Sequence, residues 1–138
     1  MHGRSISTVS RFVLTAIVTL GVVQIVRWFW SGDIFYNAGL AFSWQLPGLA
    51  VLIISGGFLV LVGWWFYTYR HLGLTWAIAG GLIFGGGASN LLERFIFDGR
   101  VADYINFFNL TTANLADLAI MVGIVIALWR IWNQPWIN

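Results

Sequence analysis

The sequence contains no cysteine and no lysine, and each absence excludes a class of catalytic site. Without cysteine the chain has no disulfide, no thiol nucleophile and no cysteine-bound metal. Without lysine it cannot carry a serine–lysine dyad. The two histidines, His2 and His71, are far apart, and no His-Glu-x-x-His run is present. The sequence therefore predicts no zinc-protease site and no metal site.

Charge is also scarce. Only 9% of the 138 residues are charged, whereas 59% are hydrophobic, which differs strongly from the composition of soluble domains. This composition predicts an all-α membrane protein with a single domain over residues 1–138. The net charge of +2 comes from arginines in the connecting segments, and no basic patch with interleaved aromatic residues is present. We therefore expect no nucleic-acid partner.

Four apolar segments are long enough to cross a bilayer, at residues 12–30, 46–69, 72–92 and 115–132. They predict a four-transmembrane-helix bundle. The first segment lacks a small-residue cleavage site and three more segments follow it, so we expect it to be retained. Most tryptophans lie near segment ends, as in an interfacial aromatic belt.

The third segment has a stripe of small residues at four-residue spacing, formed by Ala77, Gly81, Gly85 and Ser89. Such a stripe lets helix backbones approach closely, so it predicts helix packing and not a nucleotide-binding loop. In contrast, residues 34–44 mix aromatic, small and polar residues and are too short to span. We interpret them as a small extracytoplasmic β element of one or two short strands, with a turn at Asn37 and Gly39.

The arginines predict the orientation of the chain. Arg4, Arg11, Arg70 and Arg130 fall on one side of the predicted bundle, and Arg94 and Arg100 fall on the other. The positive-inside rule then favours cytoplasmic termini. Residues 31–45 and 93–114 would face the extracytoplasmic side.

Two aspartates, Asp103 and Asp117, lie at the predicted outer boundary of the membrane, in a chain with only five acidic residues. An aspartate inside a bilayer costs about 2.5–3.5 kcal/mol, so carboxylates next to a span suggest a function. Two carboxylates that face one site can activate water. The structural alternative is capping: Asn114 is a natural N-cap for the fourth helix, and Asp117 lies in its first turn.

Four short motifs occur along the chain in the order found in one known family. The matching residues are Asn37, Gly39, Ala41 and Phe42; Asn90 and Arg94; Val101 and Asp103; and Asn114, Ala116 and Asp117. No single motif is specific. Together, on a chain with four predicted spans, they resemble the lipoprotein signal peptidases (signal peptidase II), which are membrane aspartyl proteases.

The resemblance implies that Asp103 and Asp117 are the catalytic dyad. Asn90 and Asn114 would orient the aspartates or hold the substrate backbone, and Asn37 and Gly39 would support the site. We expect Arg94 to form a structural ion pair that shapes the site. The family's substrate is a bacterial prolipoprotein whose cysteine already carries diacylglycerol, and cleavage occurs on the amino side of that cysteine.

The resemblance further implies a multi-pass protein of the bacterial plasma membrane, surrounded by membrane lipids, with its active site on the extracytoplasmic side. We expect a monomer that needs neither a metal nor an organic cofactor.

The sequence also departs from the family pattern. Glu93 and Tyr104 replace Asp and Phe, Ala113 replaces Phe, and the first span has Val23 and Arg27 where the family has Asp and Lys. We expect Glu93 to be structural and to pair with Arg94 or with a backbone amide.

Two other functions fit part of the pattern. A non-catalytic homologue would bind lipoprotein precursors or lipid without cleavage, and the altered first span supports it. In a small transporter subunit the two aspartates would form an ion site. However, both lie at one interface and not near the midplane, where transporter sites lie.

Overall fold

The computed structural model describes residues 7–39, 47–108 and 111–133, which contain four long helices and four short strands. The elements are α1 (Thr8–Phe29), β1 (Phe35–Asn37), α2 (Gly48–Thr68), α3 (Leu74–Ile96), β2 (Val101–Asp103), β3 (Ile105–Phe107), β4 (Thr111–Ala113) and α4 (Leu115–Trp132). A short 3-10 turn, Arg70–Leu72, joins α2 to α3. Ala41 and Phe42 of the first motif lie outside the described residues.

Three of these helices, α1, α2 and α4, are long and apolar enough to cross a membrane within the described part of the chain. The third helix differs because it has twelve buried residues, whereas α1 has two and α2 and α4 have three each. A helix that other helices cover does not have to be apolar. That α3 also spans the membrane remains a prediction.

Glycines allow α3 to pack tightly against two other helices. A Cβ atom on Gly81 would lie 2.5 Å from Thr15 Cβ, and one on Gly85 would lie 2.6 Å from Ala16 O, both on α1. A Cβ atom on Gly86 would lie 2.6 Å from Ala116 O on α4. These distances are too short for a side chain, so the predicted packing stripe is confirmed and extends to a second helix face.

The hydrophobic core lies at the end of the bundle opposite the strands. Phe66 of α2 packs with Trp76, Ala77 and Ala79 of α3, and Ala127 of α4 completes the cluster. This end fixes the helices relative to one another, and the other end carries most of the polar side chains.

The strands form two small antiparallel sheets. β1 pairs with β2, with Phe35 opposite Asp103, and β3 pairs with β4. The predicted short strand is therefore confirmed. The Asn37 side chain accepts a hydrogen bond from Gly39 N at 2.8 Å, which forms the expected turn.

Candidate active site

The first turn of α4 is closed by a capping box. The Oδ1 atom of Asn114 accepts a hydrogen bond from Asp117 N at 3.0 Å. In return, the Oδ2 atom of Asp117 accepts from Asn114 N at 3.1 Å. The structural role predicted for both residues is therefore present. Because the N-terminus of a helix attracts negative charge, a carboxylate in this turn also stabilises the helix.

Asp103 is the last residue of β2, and its side chain is only 3% exposed. Its Oδ2 atom accepts a hydrogen bond from Asn37 Nδ2 at 3.1 Å, and its Oδ1 atom accepts from Asn114 Nδ2 at 3.1 Å. Pairing of β2 with β1 keeps Asn37 at this carboxylate. The Asp103 side chain therefore lies in a fixed, nearly dry position.

Two asparagines connect the two aspartates. The Nδ2 group of Asn114 donates to Asp103 and also to Asn90 Oδ1, the latter at 3.0 Å. The Nδ2 group of Asn90 donates to Asp117 Oδ1 at 2.8 Å. The hydrogen bonds thus run from Asp103 through Asn114 and Asn90 to Asp117, although the aspartates are separated by 13 intervening positions in sequence.

Burial raises the pKa of Asp103 from 3.8 to about 6. The nearby negative charges of Asp117 and Glu93 raise it as well, whereas the hydrogen bonds from Asn37 and Asn114 lower it. A carboxyl group with this pKa keeps its proton up to about pH 6 and can donate a hydrogen bond below that pH. Two carboxyl groups in different surroundings can divide the roles of acid and base.

Within the described residues, the hydrogen bonds of Arg94 go to backbone oxygens. Its guanidinium donates to Gly39 O at 3.2 Å and to Asn90 O at 3.2 Å. The side chain is 7% exposed. It therefore joins α3 to the turn that holds Asn37, and Gly39 contributes through its backbone.

Glu93 is also structural, as its position in the sequence suggested. Its Oε2 atom accepts a hydrogen bond from Ala102 N at 2.7 Å, and the side chain is 2% exposed. Of the two partners expected for Glu93, the structure has the backbone amide. Because Ala102 precedes Asp103, this bond anchors β2 to α3.

The site opens into a cavity of about 700 Å³. Both aspartates line it, together with Asn37, Asn90, Arg94 and Asn114. Most of the remaining wall is apolar and comes from α2 and α4, with Ile54, Phe58, Ile120, Met121, Ile124 and Val125. The strands and α3 complete the lining with Gly87, Val101, Phe107, Thr111, Thr112 and Ala113. A substrate with both a polar backbone and apolar chains would match this lining.

Two further residues at the site carried only weak sequence signals. Ser55 lines the cavity from α2, and a hydroxyl group inside an otherwise apolar span could have indicated it. Tyr104 accepts a hydrogen bond from Leu115 N at 3.2 Å, at the start of α4. Its signal was the hydroxyl group at a position where the resembled family has phenylalanine.

Comparison with known sequences finds the same family that the four motifs resemble. Residues 6–133 match the family described as signal peptidase (SPase) II. A lipoprotein signal peptidase of Helicobacter pylori is 36% identical over 104 residues, which cover 69% of this chain and 62% of that protein. A lipoprotein signal peptidase of Cupriavidus necator is 31% identical over 131 residues, which cover 84% of this chain and 70% of that protein.

Two solved structures share the fold. Both are described as bacterial membrane enzymes; one was determined at 2.3 Å and the other at 1.9 Å resolution. The first superposes with a TM-score of 0.77 over 99% of this chain and 99% of that chain. The second has a TM-score of 0.78 over 97% of this chain and 100% of that chain. Each is 18% identical in sequence, so the likeness concerns the fold alone.

Proposed function

The chain belongs to the signal peptidase II family, and we propose that it is an aspartic endopeptidase with Asp103 and Asp117 as its catalytic dyad. Its substrate is a diacylglyceryl-modified prolipoprotein, cut on the amino side of the lipidated cysteine. The observation that carries the proposal is the hydrogen-bonded path that joins two aspartates through Asn114 and Asn90 at the wall of one cavity.

The surroundings of the two carboxyl groups support different roles. Asp117, at the N-terminus of α4, acts as the base and accepts a proton from water, whose oxygen attacks the carbonyl carbon of the scissile peptide. Asp103, whose raised pKa lets it keep its proton up to about pH 6, polarises the carbonyl oxygen. When the tetrahedral intermediate collapses, the C–N bond breaks and the leaving amine takes up a proton from the dyad. The two apparent pKa values belong to the pair.

The remaining polar residues hold this arrangement. Asn37 donates to Asp103, Asn90 donates to Asp117, and Asn114 contacts both sides of the path. Arg94 fixes the turn at Gly39 through a backbone oxygen.

The proposed setting is the bacterial plasma membrane. All four helices, including α3, span it, both termini are cytoplasmic, and the strands with the dyad are extracytoplasmic. The arginine distribution supports this orientation. The apolar wall of the cavity, from α2 and α4, suits a substrate whose signal peptide is itself an apolar helix and whose acyl chains remain in the lipid.

The test is cleavage of a synthetic lipobox peptide in proteoliposomes, with and without diacylglycerol on its cysteine. The parent should cleave only the lipidated peptide. Asp103→Asn and Asp117→Asn should each lose this activity, because the variant side chain cannot exchange a proton.

Asp98→Asn is the matched control for this assay. Asp98 is exposed and has a φ of 52°, a conformation that asparagine also adopts readily. This variant should cleave as the parent does. Binding of the lipidated peptide without cleavage by the parent would identify a non-catalytic homologue instead.

A further inference from the structure

Tyr104 connects the strand that carries Asp103 to the start of the helix that carries Asp117. It follows Asp103 directly, and its side chain is 7% exposed. Its backbone N–H donates to Ala113 O at 3.0 Å, and its hydroxyl oxygen accepts from Leu115 N at 3.2 Å. The two bonds therefore reach the residues on either side of Asn114.

The position of Asn114 matters to both carboxyl groups. Its Nδ2 group donates to Asp103 Oδ1 and to Asn90 Oδ1, and its Oδ1 atom accepts from Asp117 N. A small rotation of this residue would change the contacts of both aspartates. Tyr104 limits such a rotation because it holds the backbone on both sides.

The hydroxyl group of Tyr104 makes one of these two bonds. The N–H group of Leu115 lies at the start of α4, where no helical carbonyl is available to accept from it. The tyrosine ring packs against Trp30, with ring centroids 4.8 Å apart, so the ring directs the hydroxyl group toward Leu115. Phenylalanine could keep the ring contact but would leave this N–H group without the side-chain acceptor.

We propose that Tyr104 is a positioning residue for the dyad: its hydroxyl group, through Leu115 N, holds Asn114 in contact with Asp103. This inference rests on the proposed function, because the effect of the bond is read through peptide cleavage. The hydroxyl group of Tyr104 thus helps to align the carboxyl groups of Asp103 and Asp117, although it does not touch either of them.

The first variant is Tyr104→Phe, which removes one oxygen atom. We expect kcat to fall about tenfold with KM unchanged, because a misaligned dyad slows the chemical step and leaves the substrate cavity intact. The matched control is Tyr67→Phe, since Tyr67 is 58% exposed and lies near the other end of the bundle. This control should retain the kcat of the parent.

The pH profile separates positioning from a loss of stability. The hydrogen bond from Asn114 lowers the pKa of Asp103, so a loosened Asn114 should move the alkaline limb of kcat/KM to higher pH in Tyr104→Phe. The charged groups that interact with Asp103, namely Asp117, Glu93 and Arg94, are unchanged in this variant. A lower stability alone would reduce the amount of active enzyme and leave the limb where it is.

A double-mutant cycle then tests the bond itself. Leu115→Pro removes the N–H donor at the first helical position, where proline is well tolerated, and Leu115→Ala removes a similar amount of side chain but keeps the donor. Tyr104→Phe should lower kcat about tenfold in the Leu115→Ala background and less than about twofold in the Leu115→Pro background.

The outcomes are distinct. A fall in kcat that depends on the Leu115 donor, with a shifted pH limb, supports the inference. Parent-like kcat in Tyr104→Phe would overturn it, as would the same fall in both Leu115 backgrounds. If Leu115→Pro does not fold, an unmoved pH limb in Tyr104→Phe overturns it. Failure of the parent to cleave the lipidated peptide would instead refute the proposed function.

Discussion

The two aspartates of the site make similar numbers of contacts but lie in different local structures. Each carboxyl group accepts two hydrogen bonds. Asp103 is the last residue of a buried strand, and its pKa is raised to about 6. Asp117 is half-buried in the first turn of α4, where backbone N–H groups face its carboxylate. The proposed division of acid and base roles between the two aspartates rests on this difference in surroundings.

The largest expected effect is the loss of cleavage when either aspartate is replaced. Asp103→Asn and Asp117→Asn should each lower kcat roughly a thousandfold or more, and the double variant should be at most a few-fold worse, because both groups act in the same step. The measurement is single-turnover cleavage of the lipidated peptide. Multiplicative losses in the double variant would show that the two carboxyl groups act independently.

The second effect concerns stability. Asp103 holds its proton more tightly in the folded chain than in the unfolded chain, where its pKa is near 3.8. Its contribution to stability is therefore complete at low pH and is lost as pH rises through about 6, with a total of roughly 3 kcal/mol. We expect the free energy of unfolding in detergent to show this decline in the parent and in Asp117→Asn.

In Asp103→Asn this part of the decline should disappear, since the amide does not titrate. The difference in unfolding free energy between parent and variant, measured across the same pH range, separates the titration of Asp103 from that of all other groups. An identical pH dependence in both proteins would contradict the raised pKa of Asp103.

The third effect is a shift in the pH profile of activity. The hydrogen bond from Asn37 lowers the pKa of Asp103, so Asn37→Ala should raise that pKa further. The alkaline limb of kcat/KM should move to higher pH, because Asp103 keeps its proton longer. Asn133→Ala, at the exposed far end of α4, is the control for an asparagine loss. A limb that moves to lower pH would mean that Asn37 does not favour the ionised form.

The smallest expected effect concerns the contribution of the first turn of α4 to stability. Asp117→Asn should cost about 0.5 kcal/mol of stability near pH 5, where Asp103 keeps its proton, because a negative charge in the first turn stabilises α4. Thermal unfolding of this variant beside Asp98→Asn measures it. A variant as stable as Asp98→Asn would indicate that the capping hydrogen bonds, and not the charge, stabilise this turn.

Local patterns in the sequence predicted the helices and the packing stripe, because apolar length and small-residue spacing reflect local physics. They also predicted the cap at Asn114 and the turn at Asn37. The link between Asn114 and Asn90 was not predictable in this way, since it depends on how α3 and α4 are rotated against each other. A resemblance to a family suggested that these residues meet, and the structure supplies the contacts.

The ion pair predicted for Arg94 stays a prediction, and the hydrogen bonds of this side chain within the described residues go to backbone oxygens. Neighbouring charges of opposite sign in a sequence suggest an ion pair, but consecutive helix residues point in different directions. Glu93 is directed toward Ala102, and Arg94 is directed toward the turn at Gly39. Only the three-dimensional packing of β1 and β2 on α3 reveals these backbone partners.

The glycines of α3 also predict where the chain tolerates mutation. At Gly81, Gly85 and Gly86 a single added methyl group would meet another helix, whereas at Gly56 and Gly57 of α2 it would meet nothing within 4 Å. Loss-of-function alleles should therefore accumulate at these glycines of α3. An added methyl group at Gly86 would push α4 away and separate Asp117 from Asn90, and one at Gly81 or Gly85 would push α1 away. The glycines of α2 should vary freely among functional alleles.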